Sequence, residues 1–286
     1  MKQLISRLNY HANIIALVGL LMSIIAAVPN PCFPQPQQAS GKQKKYAPAN
    51  MIGSKESMIK NEEGVKLLVA GKTDQAQALF EEALKIDPGN LTAVFNLSGA
   101  YTFNKQLERA RDLLERYLKI VKDDPGLYIR LADAYLGLKN TDQAIKNYEK
   151  AAALEPNYPG LANKLGTAYM LTKNLKKAES SFAKAVELEP KNVGAINNYA
   201  NVLIGNGKLD KALDIAKRGI QVQPSKELYK TLGAAYELKG DLKNALVSLK
   251  GALDLAGGEK KDPQLTKKIS ELEKILEKKS LAQAKK

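Results

Sequence analysis

Between residues 57 and 259 apolar positions recur with a helical period, in stretches of about a dozen residues broken by turn formers. Leu131, Tyr135 and Leu138 are spaced four and three apart and fall on one stripe; Ala144, Tyr148 and Ala151 repeat that spacing in the next stretch. Pro156 then stands where the second stretch cannot continue. The pattern predicts pairs of antiparallel helices, each pair turning into the next. Two other stretches differ. Ile14 to Val28 is almost wholly apolar, and over 263–282 the residues Leu265, Ile269, Leu272, Ile275 and Leu276 form a further stripe, with Lys267, Lys268, Lys274 and Lys278 turned mostly outward.

The helical stretches are copies of one unit. Ala76, Ala110, Ala144, Ala178 and Ala212 recur every 34 residues, with Ala245 following at 33. In the same register Gly64, Ser98, Ala132, Gly166, Ala200 and Gly233 share a small-residue position, and Leu67, Tyr101, Tyr135, Tyr169, Leu203 and Tyr236 follow three residues later. Ala83, Ala151, Ala185 and Ala252 share a third position, from which Tyr117 and Gly219 depart. Pro88, Pro156, Pro190 and Pro224 close their units; Lys122 replaces the proline of the second, and the fifth is one residue short. Small residues let two helices pack closely, the tyrosines fill the space beside them, and stacking buries the face that one pair alone would leave exposed.

These positions resemble the tetratricopeptide-repeat pattern over about 57–259, in six units: 57–90, 91–124, 125–158, 159–192, 193–225 and 226–259. The resemblance implies an all-α fold, an α-solenoid forming a right-handed superhelix of helix pairs, closed by a C-terminal capping helix within 260–286. It also implies a non-catalytic scaffold that binds other proteins. In this family the second, fifth, sixth, ninth and twelfth positions of the units tend to line a concave groove. Here those positions include Asn61, Phe95, Asn96, Arg130, Asn163, Lys164, Thr167, Asn197, Asn198 and Asn201. Asparagine offers two donors and two acceptors on a short side chain, so such a row suits the backbone amides of an extended peptide; solvation of the face is the plainer role. The expectation is that these side chains support no neighbour. Members that clamp the C-terminal carboxylate of chaperones carry lysines and asparagines of which only Asn96 and Arg130 have counterparts. Asn61, Val65 and Gly126 stand in the other places, which disfavours that ligand.

The N-terminal segment carries Lys2 and Arg7 ahead of the apolar stretch, the layout of an export signal. Two readings stay open. Fifteen apolar residues are short for a spanning helix, which favours cleavage; the absence of a good small-residue cleavage pattern before Pro29 favours an uncleaved anchor over residues 8–28. In either case the charges place the array on the far side of the membrane, in the cell envelope. Residues 29–56, with five prolines and no apolar period, read as a disordered linker. Cys32 follows Pro29, Asn30 and Pro31, which do not resemble a lipid-attachment motif.

A net charge of +14 raises the question of nucleic acid, and its distribution answers it: residues 1–56 carry +5, 57–259 only +4, and 260–286 another +5. The charge sits on the tails rather than on the array, so no specific nucleic-acid partner is expected. The single histidine, His11, lies in the targeting segment, which removes histidine-based acid–base, nucleophilic and metal chemistry from the array. Adjacent carboxylates such as Glu62 and Glu63 do not share a helix face, and no glycine-rich phosphate loop occurs. No cofactor, metal site or catalytic residue is expected. The triplets starting at Asn90 and Asn96 match the glycosylation pattern, but Asn96 falls within an expected helix.

Overall fold

A computed structural model describes residues 53–258 and 262–284. The N-terminal segment, the linker up to residue 52 and the last two residues of the basic tail lie outside the described residues.

Thirteen helices make up the described chain, and no strand occurs among the described residues. They are α1 (Lys55–Val69), α2 (Thr73–Ile86), α3 (Leu91–Phe103), α4 (Leu107–Leu118), α5 (Pro125–Gly137), α6 (Thr141–Leu154), α7 (Leu161–Leu171), α8 (Leu175–Leu188), α9 (Val193–Gly205), α10 (Leu209–Val222), α11 (Lys226–Leu238), α12 (Leu242–Leu255) and α13 (Pro263–Ala284). The first twelve form six pairs stacked in sequence, an all-α solenoid, and α13 packs on the last pair. The boundary expected at 56/57 falls inside α1, which starts at Lys55 because the Ser54 side chain caps it.

The register residues lie at the helix contacts. Ala76, Ala110, Ala144, Ala178, Ala212 and Ala245 are all fully buried. Small residues are required opposite large ones: a Cβ on Gly64 would stand 2.5 Å from the Phe80 ring, and one on Gly166 would stand 2.7 Å from the ring of Phe182. The turn inside each pair needs a left-handed residue. Gly71, Gly207 and Gly240 provide it in three units, whereas Lys105, Lys139 and Lys173 adopt φ of 61°, 60° and 59° in the others.

Curvature follows from unequal packing of the two layers. First helices of successive pairs touch one another, as α1 does α3, α3 does α5, α7 does α9 and α9 does α11, and no contact of that extent joins successive second helices among the described residues. The first helices therefore line the inner side of the bend and the second helices its outer side.

Leu265, Ile269 and Leu272 of α13 are buried against Leu249, Ala252 and Leu253 of α12. The pairs Lys226–Asp262 at 2.6 Å and Lys268–Glu237 at 2.8 Å fasten the same end. The expected stripe continues only in part: Leu276 is half-buried, but Ile275 is 44% exposed, and α13, with 22 residues against the 14 of α12, outlasts its support.

Candidate inner-face binding site

Side-chain caps fix where each first helix begins, and hence which residues face inward. Asn90 accepts from the Ala93 amide at 3.0 Å, Asp124 from Leu127 at 2.8 Å, Asn192 from Ala195 at 3.0 Å and Ser225 from Leu228 at 3.2 Å. Gly160, in the left-handed region, starts α7 without a side-chain cap, and its amide donates to Glu189 at 2.7 Å.

With the helices so phased, the candidate residues meet in pairs across unit boundaries. Asn96 Nδ2 donates to Asn61 Oδ1 at 2.9 Å, and Asn198 Nδ2 to Asn163 Oδ1 at 3.0 Å, both over 35 residues of sequence. Thr231 Oγ1 lies 2.8 Å from Asn197 Oδ1 and 3.1 Å from Asn201 Oδ1. The Arg130 guanidinium stacks on the Phe95 ring, its Cζ 4.2 Å from the ring centre. Lys164 Nζ bonds both oxygens of Asp133, at 2.8 and 3.0 Å. Thr167 Oγ1 alone turns back onto its own helix, donating to the Asn163 carbonyl at 3.0 Å.

This corrects the expectation that the row supports no neighbour. Asn61 and Asn197 are buried, and the row forms a ladder that ties each first helix to the next. Each asparagine pair uses one amide hydrogen and one carbonyl for its own bond. The amide nitrogen of Asn163 and the carbonyl of Asn198 remain, so one pair still offers a donor and an acceptor, the complement of a peptide unit. Sequence reasoning missed Asp133 and Thr231. Asp133 was within reach, since it stands 34 residues before Thr167 and 68 before Asn201. Asp133 also accepts from the buried Tyr148 hydroxyl, and burial, with the Asp133 charge beside it, pushes that phenol well above its ordinary range. Burial pulls the Arg130 guanidinium below its usual value while Asp133 opposes the shift.

Both glycosylation triplets are closed to modification: Asn90 is fully buried with Nδ2 on Ser57 Oγ at 2.8 Å, and the Asn96 amide is held by Asn61. Among the described residues no group of acidic, cysteine or histidine side chains is placed to hold a metal ion, and no helix is long and apolar enough to cross a membrane.

Stacked helix pairs bearing a continuous polar inner face define a helical-repeat protein of the kind that binds other proteins. Family models described as tetratricopeptide repeat match residues 67–132, 174–236 and 129–193, so together they span most of the array and more than half of the chain. The chain belongs to the tetratricopeptide-repeat family. A comparison with curated protein sequences gives no match. Among solved structures it is similar to PilW, described as a widely conserved type IV pilus biogenesis factor, at a TM-score of 0.62 and 20% identity, over 69% of this chain and 92% of that one. It is also similar to pilF of Pseudomonas aeruginosa, at 0.63 and 16% identity, over 74% and 97%. YrrB, described as a TPR protein with an unusual peptide-binding site, matches at 0.55 and 22% identity, over 62% and 91%. At these identities the likeness is one of fold.

Proposed function

We propose that this chain is a non-catalytic scaffold of the cell envelope that takes an extended segment of another protein along its inner face. The observation that carries the reading is the Asn198–Asn163 pair, which leaves an amide donor and a carbonyl acceptor on the concave surface; in the Asn96–Asn61 pair the donor is buried with Asn61. Such a pair binds backbone, so it tolerates many sequences, while Arg130 adds positive charge for acidic side chains and Lys164 is already paired with Asp133. The envelope location rests on Lys2, Arg7 and the apolar stretch that follows, whether cleaved or retained as an anchor over residues 8–28.

The test uses capture of partners from intact envelopes followed by affinity measurement. Thr167 bonds only its own helix, so Thr167→Arg blocks the groove without cutting the ladder. We expect capture to fall at least about tenfold, corresponding to roughly 1.4 kcal/mol, with an unchanged melting curve. Lys176→Glu, on the exposed outer side of α8, should have no effect. The opposite pattern would place the working surface on the outside. Protease added to sealed spheroplasts tests the location: full protection of the array until lysis would overturn it.

A second reading, an accessory subunit in assembly of a pilus or polysaccharide exporter, draws on the fold likeness to PilW and pilF. It predicts that the captured partner is a fixed component of such a machine rather than a set of extended segments. Steric occlusion of an enzyme, the remaining alternative, predicts an enzyme among the captured proteins whose activity falls on binding.

A further inference from the structure

Outside the inner face, a second periodic arrangement joins the second helix to the first helix of the next unit at three successive junctions. The tyrosine hydroxyls of Tyr101, Tyr135 and Tyr169 donate to Glu81, Glu115 and Glu149, each 20 residues earlier. In two of the three a cation completes the group. Arg109 Nη2 lies 3.0 Å from Glu81 Oε1 and 2.9 Å from the Tyr101 hydroxyl, with Cζ 4.4 Å over the ring. Lys177 Nζ lies 3.4 Å from Glu149 Oε1 and 5.0 Å over the ring of Tyr169.

Midway between Arg109 and Lys177, 34 residues from each, stands the neutral Gln143. Glu115 makes no ion pair among the described residues: Arg111, one turn before it, is held by Asp112 at 2.7 Å and acts on Glu115 and Tyr135 only as a nearby charge, and Lys150 lies 5.4 Å over the ring of Tyr128. The outer face opens at this same place, in a groove of about 660 Å³ between α4 and α6, where Glu115, Tyr135 and Gln143 line the wall with Leu118 and Leu131.

We propose that this groove receives one arginine side chain of a partner protein, which supplies the cation that Gln143 does not. Arg109 shows the fit: one guanidinium reaches a glutamate and a tyrosine hydroxyl together while its plane covers the ring. Leu118 and Leu131 take the aliphatic stem. Lys119, Lys146 and Lys150 also line the groove, and Glu149 there is already paired with Lys177, so Glu115 is the one carboxylate open to a cation and the surface takes a lone arginine while repelling a basic run. This groove is separate from the inner face and takes its arginine irrespective of what occupies that face.

The test labels the 12 tyrosines of the full chain with ¹³C at the ring ε carbons and assigns them by Tyr→Phe substitution. The probes are N-acetyl-arginine methylamide and its neutral citrulline analogue. The arginine probe should shift the Tyr135 resonance saturably and leave Tyr101 and Tyr169, whose cations are already in place, unmoved. The citrulline probe should shift none of the three. Gln143→Arg should weaken the response at least about tenfold by filling the site from within; if that variant does not fold, Glu115→Gln serves instead. A Tyr135 response no larger than those of Tyr101 and Tyr169, or one undiminished in the folded variant, overturns the proposal.

Discussion

The Asn198 amide donates to the Asn163 carbonyl oxygen at 3.0 Å, joining α9 to α7 on the inner face of the solenoid. No backbone hydrogen bond joins these two helices among the described residues, so this side-chain bond is part of what couples one unit to the next. A half-buried bond of this kind contributes about 0.5–1.5 kcal/mol net. In a double-mutant cycle Asn163→Ala and Asn198→Ala should therefore each destabilise, and the pair together should cost less than the sum by about that amount. Urea denaturation provides the measurement. Strict additivity would mean that the bond contributes nothing to coupling.

The turns inside the helix pairs make a second prediction. Lys105, Lys139 and Lys173 adopt the left-handed conformation that glycine adopts at the equivalent Gly71, Gly207 and Gly240. A side chain there strains against the following carbonyl by roughly 1–2 kcal/mol, part of which is offset because glycine gains more freedom on unfolding. Each Lys→Gly change should thus stabilise by about 0.5–1 kcal/mol, and the three sites are far enough apart to add. A lower melting temperature for Lys139→Gly would show that the lysine side chain provides more than the strain removes.

The helix-pair register could be read from sequence because close helix approach restricts which residues fit. A Cβ on Gly166 would strike Phe182, so the period of small residues is a steric requirement that the chain must display. The inner-face ladder was not legible for a different reason. Asn163 meets Asn198 rather than Asn197 because of the rotation between successive units, and a linear period contains no such offset. The candidate residues could be placed on one face, yet their hydrogen-bond partners could not. The left-handed lysines carry no turn signature, and the α13 stripe gives no sign of where its support ends.

Alkaline pH should weaken the array through its tyrosines. Burial, and then the hydrogen bond to Glu81, push the Tyr101 phenol up to about 12; for Tyr135 the bond to Glu115 comes first and burial second, again to about 12. A phenol raised in the folded state favours folding fully below its unfolded value of 10.0 and loses that contribution as pH rises toward the folded value. Stability should hold up to about pH 10 on this account and decline from there toward pH 12. Lysines titrate over the same range, so the informative quantity is a difference. Tyr101→Phe with Tyr135→Phe should flatten the decline relative to the unsubstituted chain, as read from melting temperature against pH and from tyrosinate absorbance. Parallel curves would remove the tyrosines from the cause.

The C-terminal helix should divide into a part that supports the array and a part that does not. At 1.5 Å per residue the 22 residues of α13 reach about 33 Å, while the 14 of α12 reach about 21 Å, so the final turns have nothing beneath them. Leu265, Ile269 and Leu272 fall on the supported part and are buried, whereas Ile275 and Leu281 are exposed. The Lys250–Glu273 pair, at 2.8 Å, ties α13 to α12 beyond Leu272. Ending the chain after Lys274 should change stability by less than about 0.5 kcal/mol, as expected of exposed surface. Ending it after residue 261 removes three buried apolar side chains and uncovers Leu249 and Leu253 beneath them. At about 1.5–3 kcal/mol per buried side chain, the loss should exceed about 3 kcal/mol and should first unfold the last pair, since a solenoid without a polar end frays from the uncovered face. Hydrogen exchange resolves this: amides of α11 and α12 should lose protection before those of α5 and α6. Equal loss of protection along the whole array would mean that α13 does not act as a local cap.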